Sequence, residues 1–97
     1  MVTFQWDDRK AVSNERKHGV NFFEAASVFD DPLAMSIADT EHSTMEEARF
    51  IIIGKSSTGR LVVVVYAHSV QESGDEVIRI ISSRRATAAE RKVYTNG

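Results

Sequence analysis

At 97 residues, with 42% apolar and 27% charged side chains, the chain has the composition of a small folded domain and not of a disordered segment. It has no cysteine, which excludes a disulfide framework and thiolate metal sites, and no apolar run long enough to span a membrane. Its formal net charge of −2 divides into −5 over residues 1–50 and +3 over residues 51–97, an acidic half followed by a basic one.

The opening "VTFQW" alternates and reads as a short strand. The same N-terminus has no basic start followed by an apolar run, so no secretory signal is expected, and a reducing cytoplasm suits a cysteine-free chain. Asp7 is placed to cap a helix over "DRKAVSNERKH" that stops at Gly19. Helical spacing aligns Lys10, Asn14, Lys17 and His18 on one face of it. "NFFEAASVFDDP" predicts a second helix, with Asn21 and Glu24 spaced as a capping box and Phe22, Ala25, Ala26 and Phe29 as its apolar stripe.

"LAMSIA" reads as a strand and "DTEHSTMEEA" as a polar connection. "RFIIIGKS" and "RLVVVVYAHS" are strong strands joined by the turn "SSTG", the second apolar enough to be central in a sheet. After the turn "VQESGD" comes a last strand, "EVIRIISS". Thr87 and Glu90 then form a T-x-x-E capping box opening a short helix through about Tyr94. The order β-α-α-β-β-β-β-α, with short links between the later strands, predicts an α+β domain with a mainly antiparallel sheet.

Alternation sorts side chains by face. Arg49, Ile51, Ile53 and Lys55 share one. Val62, Val64, Tyr66 and His68 share another. Arg79, Ile81 and Ser83 are expected together, opposite Ile78, Ile80 and Ser82. Arg79 interrupts the apolar "VIRII", where its guanidinium needs a carboxylate, a phosphate or water. Glu46, Glu47 and Asp31 are the carboxylates that would make it a plain ion pair. Arg84 and Arg85, expected just after the last strand, join Arg91 and Lys92 in a basic patch at one strand-to-helix junction, which suits phosphate. His68 could act as an acid or base. His18 reads as a helix C-terminal cation and His42 as solvated. There is no metal-ligand spacing, P-loop or nucleotide-binding glycine pattern, so neither a metal nor a cofactor is expected.

These motifs together resemble BrnT-type toxins, whose opening is roughly W-D-x-x-K-x-x-x-N-x-x-K-H-G-[VI]-x-F-x-E-A-x-x-V-F-x-D-P. Trp6, Asp7, Lys10, Asn14, Lys17, His18, Gly19, Phe22, Glu24, Ala25, Val28, Phe29, Asp31 and Pro32 match it. "EARFIIIGKSSTGRLVVVVY" is similar to the family's middle, and "IRIISSRRATAAERKVY" to its R-I-I-S-A-R-x-A-T-x-x-E-R-x-x-Y end. Two positions depart: Tyr66 stands where the family often has His, and Ser83 where Ala is usual.

The resemblance implies one RelE-like domain over residues 1–97, with an N-terminal helix pair packed on the sheet and a short C-terminal helix. It implies a type II toxin that cuts RNA without a metal and slows translation in the cytoplasm. A BrnA-like ribbon–helix–helix antitoxin would neutralise it in a hetero-oligomer, and that complex would reach operator DNA through the antitoxin. On this reading Arg79, Arg84 and Arg85, with Arg49, hold the phosphoryl group, because guanidinium stays charged and binds phosphate bidentately. Tyr94 is the expected functional tyrosine, and His68 or Glu47 moves protons. Lys10, Asn14, Lys17, Lys55, Arg91 and Lys92 would contact RNA or antitoxin. The same residues also fit a non-catalytic module that binds an acidic or DNA-binding partner.

Overall fold

The computed structural model describes residues 1–96. Strand β1 (Val2–Gln5) leads into helices α1 (Asp8–His18) and α2 (Phe22–Ser27), the latter tightening into a 3₁₀ turn, Val28–Asp30. Strands β2 (Met35–Ala38), β3 (Ala48–Lys55), β4 (Leu61–Val70) and β5 (Glu76–Arg85) follow, then helix α3 (Ala88–Asn96). The sheet order is β1-β5-β4-β3-β2. Strands β2 to β5 form the antiparallel meander, and β1 lies parallel to β5 at the far edge. The fold is therefore α+β, with both N-terminal helices on one side of the sheet. Among the described residues no helix is long and apolar enough to cross a membrane.

Local signals explain most element ends. The Asp7 side chain accepts from Lys10 N, and Gly19 takes the left-handed φ of 71° that ends α1. The Asn21 side chain accepts from Glu24 N, but Glu24 does not complete the box; its carboxylate is used elsewhere. Thr87 and Glu90 do exchange both bonds of theirs. Gly54 is needed for a different reason: a Cβ there would sit 2.9 Å from Val28 Cγ1 and Ala34 Cβ, where the 3₁₀ turn crosses β3.

The core lies between α1–α2 and the sheet. Val20, Phe22, Ala25 and Val28 pack on Ile52, Val62, Val64, Tyr66, Ile78 and Ile80. A fully buried phenylalanine such as Phe22 contributes about 2–3 kcal/mol by leaving water. Tyr66, the position of the first departure, is a core residue. Its ring lies 4.8 Å from Phe29 and 5.5 Å from Phe50 by centroid, and its hydroxyl ends 2.7 Å from Ser36 Oγ.

The alternation expected for β5 holds only to Ile80. Tyr66 pairs with Ile80 and Val65 with Ser82, so Ile81 is bulged out of the ladder. Beyond the bulge the faces exchange. Ser83 and Arg85 join Ile78 and Ile80 on the helix-covered face, and Arg79, Ser82 and Arg84 share the open one. Arg84 and Arg85 are inside β5, not after it, and they point to opposite faces.

Where β1 ends, the outer edge of β5 is finished by a side chain. Asn14 Oδ1 accepts from Ser83 N at 3.0 Å, and its Nδ2 donates to Ser83 O at 2.8 Å. The carboxamide thus stands in for a strand partner, and the hydroxyl of Ser83, the second departure, joins it at 2.9 Å. Asn14 is buried with its amide consumed, which removes it from the residues expected to contact RNA or antitoxin.

Candidate active site

Four strands bring one row of side chains onto the open face. Arg49 of β3, Ala67 of β4, Arg79 of β5 and Gln5 of β1 are successive ladder partners. Strand spacing sets the Arg49 and Arg79 backbones about 10 Å apart. Ala67 between them is short, which leaves a hollow bordered by Gln5, Glu46, Glu47, Ala67 and Arg79.

Glu47 joins the two arginines. Arg79 Nη2 donates to Glu47 Oε1 at 2.6 Å, and Arg49 Nε to the same oxygen at 3.4 Å. The hydrogen bond from Arg79, with Arg49 adding to it, holds the Glu47 carboxyl below the usual range, so it is ionised at neutral pH. All three side chains remain about one-third exposed, at 32% for Arg49, 38% for Arg79 and 35% for Glu47. The loop before β3 holds Glu47 in place: Glu47 N donates to Thr44 Oγ1, and Arg49 N to Ser43 Oγ. Arg79, Glu46 and Glu47 border the hollow, and Arg49 reaches Glu47 from beside it; the two guanidinium groups can bind a phosphodiester, and the ionised carboxylate next to them can accept a proton beside it.

The other expected site residues lie elsewhere. His68 borders the hollow, but its ring faces the helix side, with Nε2 2.9 Å from Glu76 Oε1 and the Phe50 ring edge-on to it. Tyr94 donates to Asp31 Oδ2 at 2.6 Å, and Asp31 also accepts from Lys55 N. That tether lies at the Lys55 end of β3, six residues from Arg49 and so about 20 Å away. Its bond to Asp31 raises the Tyr94 pKa, and the bond from Lys55 N, followed by that from Tyr94, lowers the Asp31 pKa.

Arg84 forms a two-pronged pair with Glu90, at 2.7 and 2.8 Å, which fastens α3 to β5 and lowers the Glu90 pKa to about 2. Its ladder partner Val63 is four residues from Ala67, about 13 Å along the sheet. Arg85 faces the helix side, and Arg91 and Lys92 are exposed on α3. The junction is thus not one basic patch. Lys10, Lys17 and His18 line a groove between α1 and residues Ile81 and Ser82 of β5, and Lys55 is exposed at the end of β3.

Sequence reasoning missed the second carboxylate hub. Glu24 is buried and accepts from Ser56 Oγ, Thr58 Oγ1 and both Arg60 Nε and Nη2, each at 2.7 or 2.8 Å. Arg60 also donates to Gly19 O at 2.6 Å. These bonds, led by Arg60, pull the Glu24 pKa down to about 2 against the desolvation that would raise it. The capping-box spacing offered a competing explanation for Glu24, and no local pattern ties it to Arg60.

Comparison with known proteins gives two findings. A family model described as "Ribonuclease toxin, BrnT, of type II toxin-antitoxin system" matches residues 6–90. The 1.1 Å crystal structure of the Brucella abortus ribonuclease toxin BrnT superposes with a TM-score of 0.63 at 20% identity, covering 90% of this chain and 99% of that one. At that identity the superposition speaks for the fold. A search of curated proteins gives no match.

Proposed function

Because the chain belongs to the BrnT family of ribonuclease toxins of type II toxin–antitoxin systems, we propose that it is an endoribonuclease whose site is the Arg49–Glu47–Arg79 cluster. The observation that carries this reading is one ionised carboxylate between two guanidinium groups on an uncovered sheet face. Glu47 takes the proton of the ribose 2′-OH, and the 2′-oxygen attacks phosphorus. Arg79 and Arg49 stabilise the charge that grows on the phosphoryl oxygens. The P–O5′ bond breaks, the 5′-oxygen takes a proton from water in the open hollow, and the hydroxide left behind takes the proton from Glu47, which restores the carboxylate. The products are a 2′,3′-cyclic phosphate and a 5′-hydroxyl. No metal takes part in this scheme. Lys55, Arg91 and Lys92 add favourable potential for RNA or antitoxin, and a BrnA-like ribbon–helix–helix antitoxin neutralises the toxin in the cytoplasm and carries the complex to operator DNA.

The test is purified chain with RNA in EDTA. Cleavage leaving 2′,3′-cyclic ends is expected, falling about a hundredfold or more in Arg79→Ala, since one preorganised donor is worth about 3 kcal/mol in a transition state. Glu47→Gln should cost a comparable factor and remove the acid limb of the pH–rate profile. Equal rates for wild type and both folded variants would refute the site.

A second reading is that of a binding module that cuts nothing. It is favoured by one observation: His68, an expected proton carrier, and Tyr94, the expected functional tyrosine, are both bonded away from the arginine pair. An isolated chain that binds RNA or antitoxin and leaves RNA intact would establish it.

A further inference from the structure

A second polar surface lies past the end of β1. That strand stops at Gln5, opposite Arg79, so the edge of β5 beyond it faces α1 instead of another strand. Lys10, Ser13, Lys17 and His18 of α1 and Ile81 and Ser82 of β5 line the groove between the two. We propose that this groove binds the phosphodiester backbone of the RNA beside the cut, as a subsite continuous with the Arg49–Glu47–Arg79 cluster. The proposal rests on the ribonuclease reading above and adds to it the path of the substrate.

The lining selects a polyanion. It carries two lysines and a histidine and no carboxylate, in a chain of net −2. Among the described residues neither Lys10 nor Lys17 forms an ion pair, whereas Arg49, Arg60, Arg79 and Arg84 are all held by glutamates. The helix dipole accounts for Lys17 and His18, which sit in the last turn of α1, but disfavours Lys10 in the first. Lys10 and Lys17 fall on one face of the helix, about 10 Å apart along its axis.

The same lining favours RNA over a protein partner. Ile81 is the apolar side chain in it, and no aromatic or aliphatic cluster offers the buried anchor on which protein interfaces depend. Ammonium groups, with the hydroxyls of Ser13 and Ser82, are instead the donors that contact phosphate. Ser82 also links the groove to the active site. Its ladder partner Val65 and the Arg79 partner Ala67 alternate onto one face, so Ser82 and Arg79 share that face, three positions and about 10 Å apart. A strand held at Arg79 crosses the β5 edge at Ser82 and lays its neighbouring phosphates against Lys10 and Lys17.

The experiment measures binding of 2′-O-methyl RNA oligonucleotides by fluorescence anisotropy over a salt series. Wild type is compared with Lys10→Ala/Lys17→Ala and with Arg9→Ala/Arg16→Ala. The second variant removes two charges at the same spacing from a neighbouring face of α1, where Arg9 and Arg16 border a different hollow. At about 0.1 M salt the lysine variant should bind about tenfold more weakly, equally on U-rich and A-rich sequences, and its log–log salt slope should be shallower by about 1.4, since each phosphate contact on a single strand contributes about 0.7. The arginine variant should keep the wild-type slope. An equal loss in both variants would reduce the groove to part of a general field and overturn the proposal. Unchanged RNA affinity in the lysine variant would overturn it too, as would a wild type that binds no RNA; if affinity for the antitoxin fell instead, the groove would belong to that protein. This RNA lacks the 2′-OH that cleavage needs, so a chain that cuts nothing still gives a binding result.

Discussion

Arg79 and Asn14 are both polar residues set into apolar surroundings, and the structure separates them by what they touch. Arg79 meets one carboxylate and keeps 38% of its side chain in solvent, so it can exchange that partner for a phosphate. Asn14 meets only backbone and Ser83, inside the protein. Its removal would leave the N–H and C=O of Ser83 and the C=O of Val20 unpaired in a buried place. Asn14→Ala should therefore lose about 2–4 kcal/mol of stability and lower Tm by about 10 °C or more. The cleavage rate of the protein that remains folded should be unchanged. Thermal unfolding beside a cleavage assay checks both halves; unaltered Tm with lost activity would return Asn14 to the binding surface. Tyr66 belongs with Asn14. Buried on the helix side, it is separated from the arginines by the sheet, so the departure from histidine there is a matter of packing.

At the scale of elements, Glu24 and Arg60 clamp α2 and the end of α1 to the β3–β4 turn. The folded Glu24 pKa, about 2, lies below its ordinary 4.5, so the clamp contributes fully above pH 4.5 and is lost as pH falls toward 2. Urea unfolding across that interval should show stability falling with acid in wild type and a flatter profile in Glu24→Gln. The variant should also be about 2–3 kcal/mol less stable at neutral pH. A parallel profile for the two proteins would contradict the assignment.

The elements also show what can be read from the chain. The β-branched runs of β3 and β4 and the T-x-x-E start of α3 are local patterns, and all three stand where expected. The bulge at Ile81 is a property of pairing, visible only when β4 lies beside β5. It reverses the faces of Ser82 to Arg85 and so dissolves the basic patch that the run "SSRRA" suggested. The parallel pairing of β1 with β5 joins residues more than seventy positions apart and leaves no local trace. Arg79 was legible as a charge inside an apolar strand. Its partner was legible only as one of three carboxylates, because the choice of Glu47 depends on how the loop before β3 folds back.

On the scale of the molecule, the two faces of the sheet divide the work. The helix face holds the core and the Asn14 and Glu24 hubs, and Asp31 with Tyr94 ties α3 to one sheet end. Much of what resembles the BrnT opening therefore maintains the fold. The open face carries the Arg49–Glu47–Arg79 cluster. The acidic half of the chain supplies α1 and α2 with β1, β2 and the start of β3, Glu47 and Arg49 included; the basic half supplies the rest of the sheet, Arg79 and α3. The most direct test of this division compares Arg79→Ala with Arg85→Ala in metal-free RNA cleavage, both checked for folding by circular dichroism. The account predicts a loss of about a hundredfold or more for Arg79→Ala and a rate within severalfold of wild type for Arg85→Ala. A larger loss for Arg85→Ala would move the chemistry to the helix side of the sheet and contradict it.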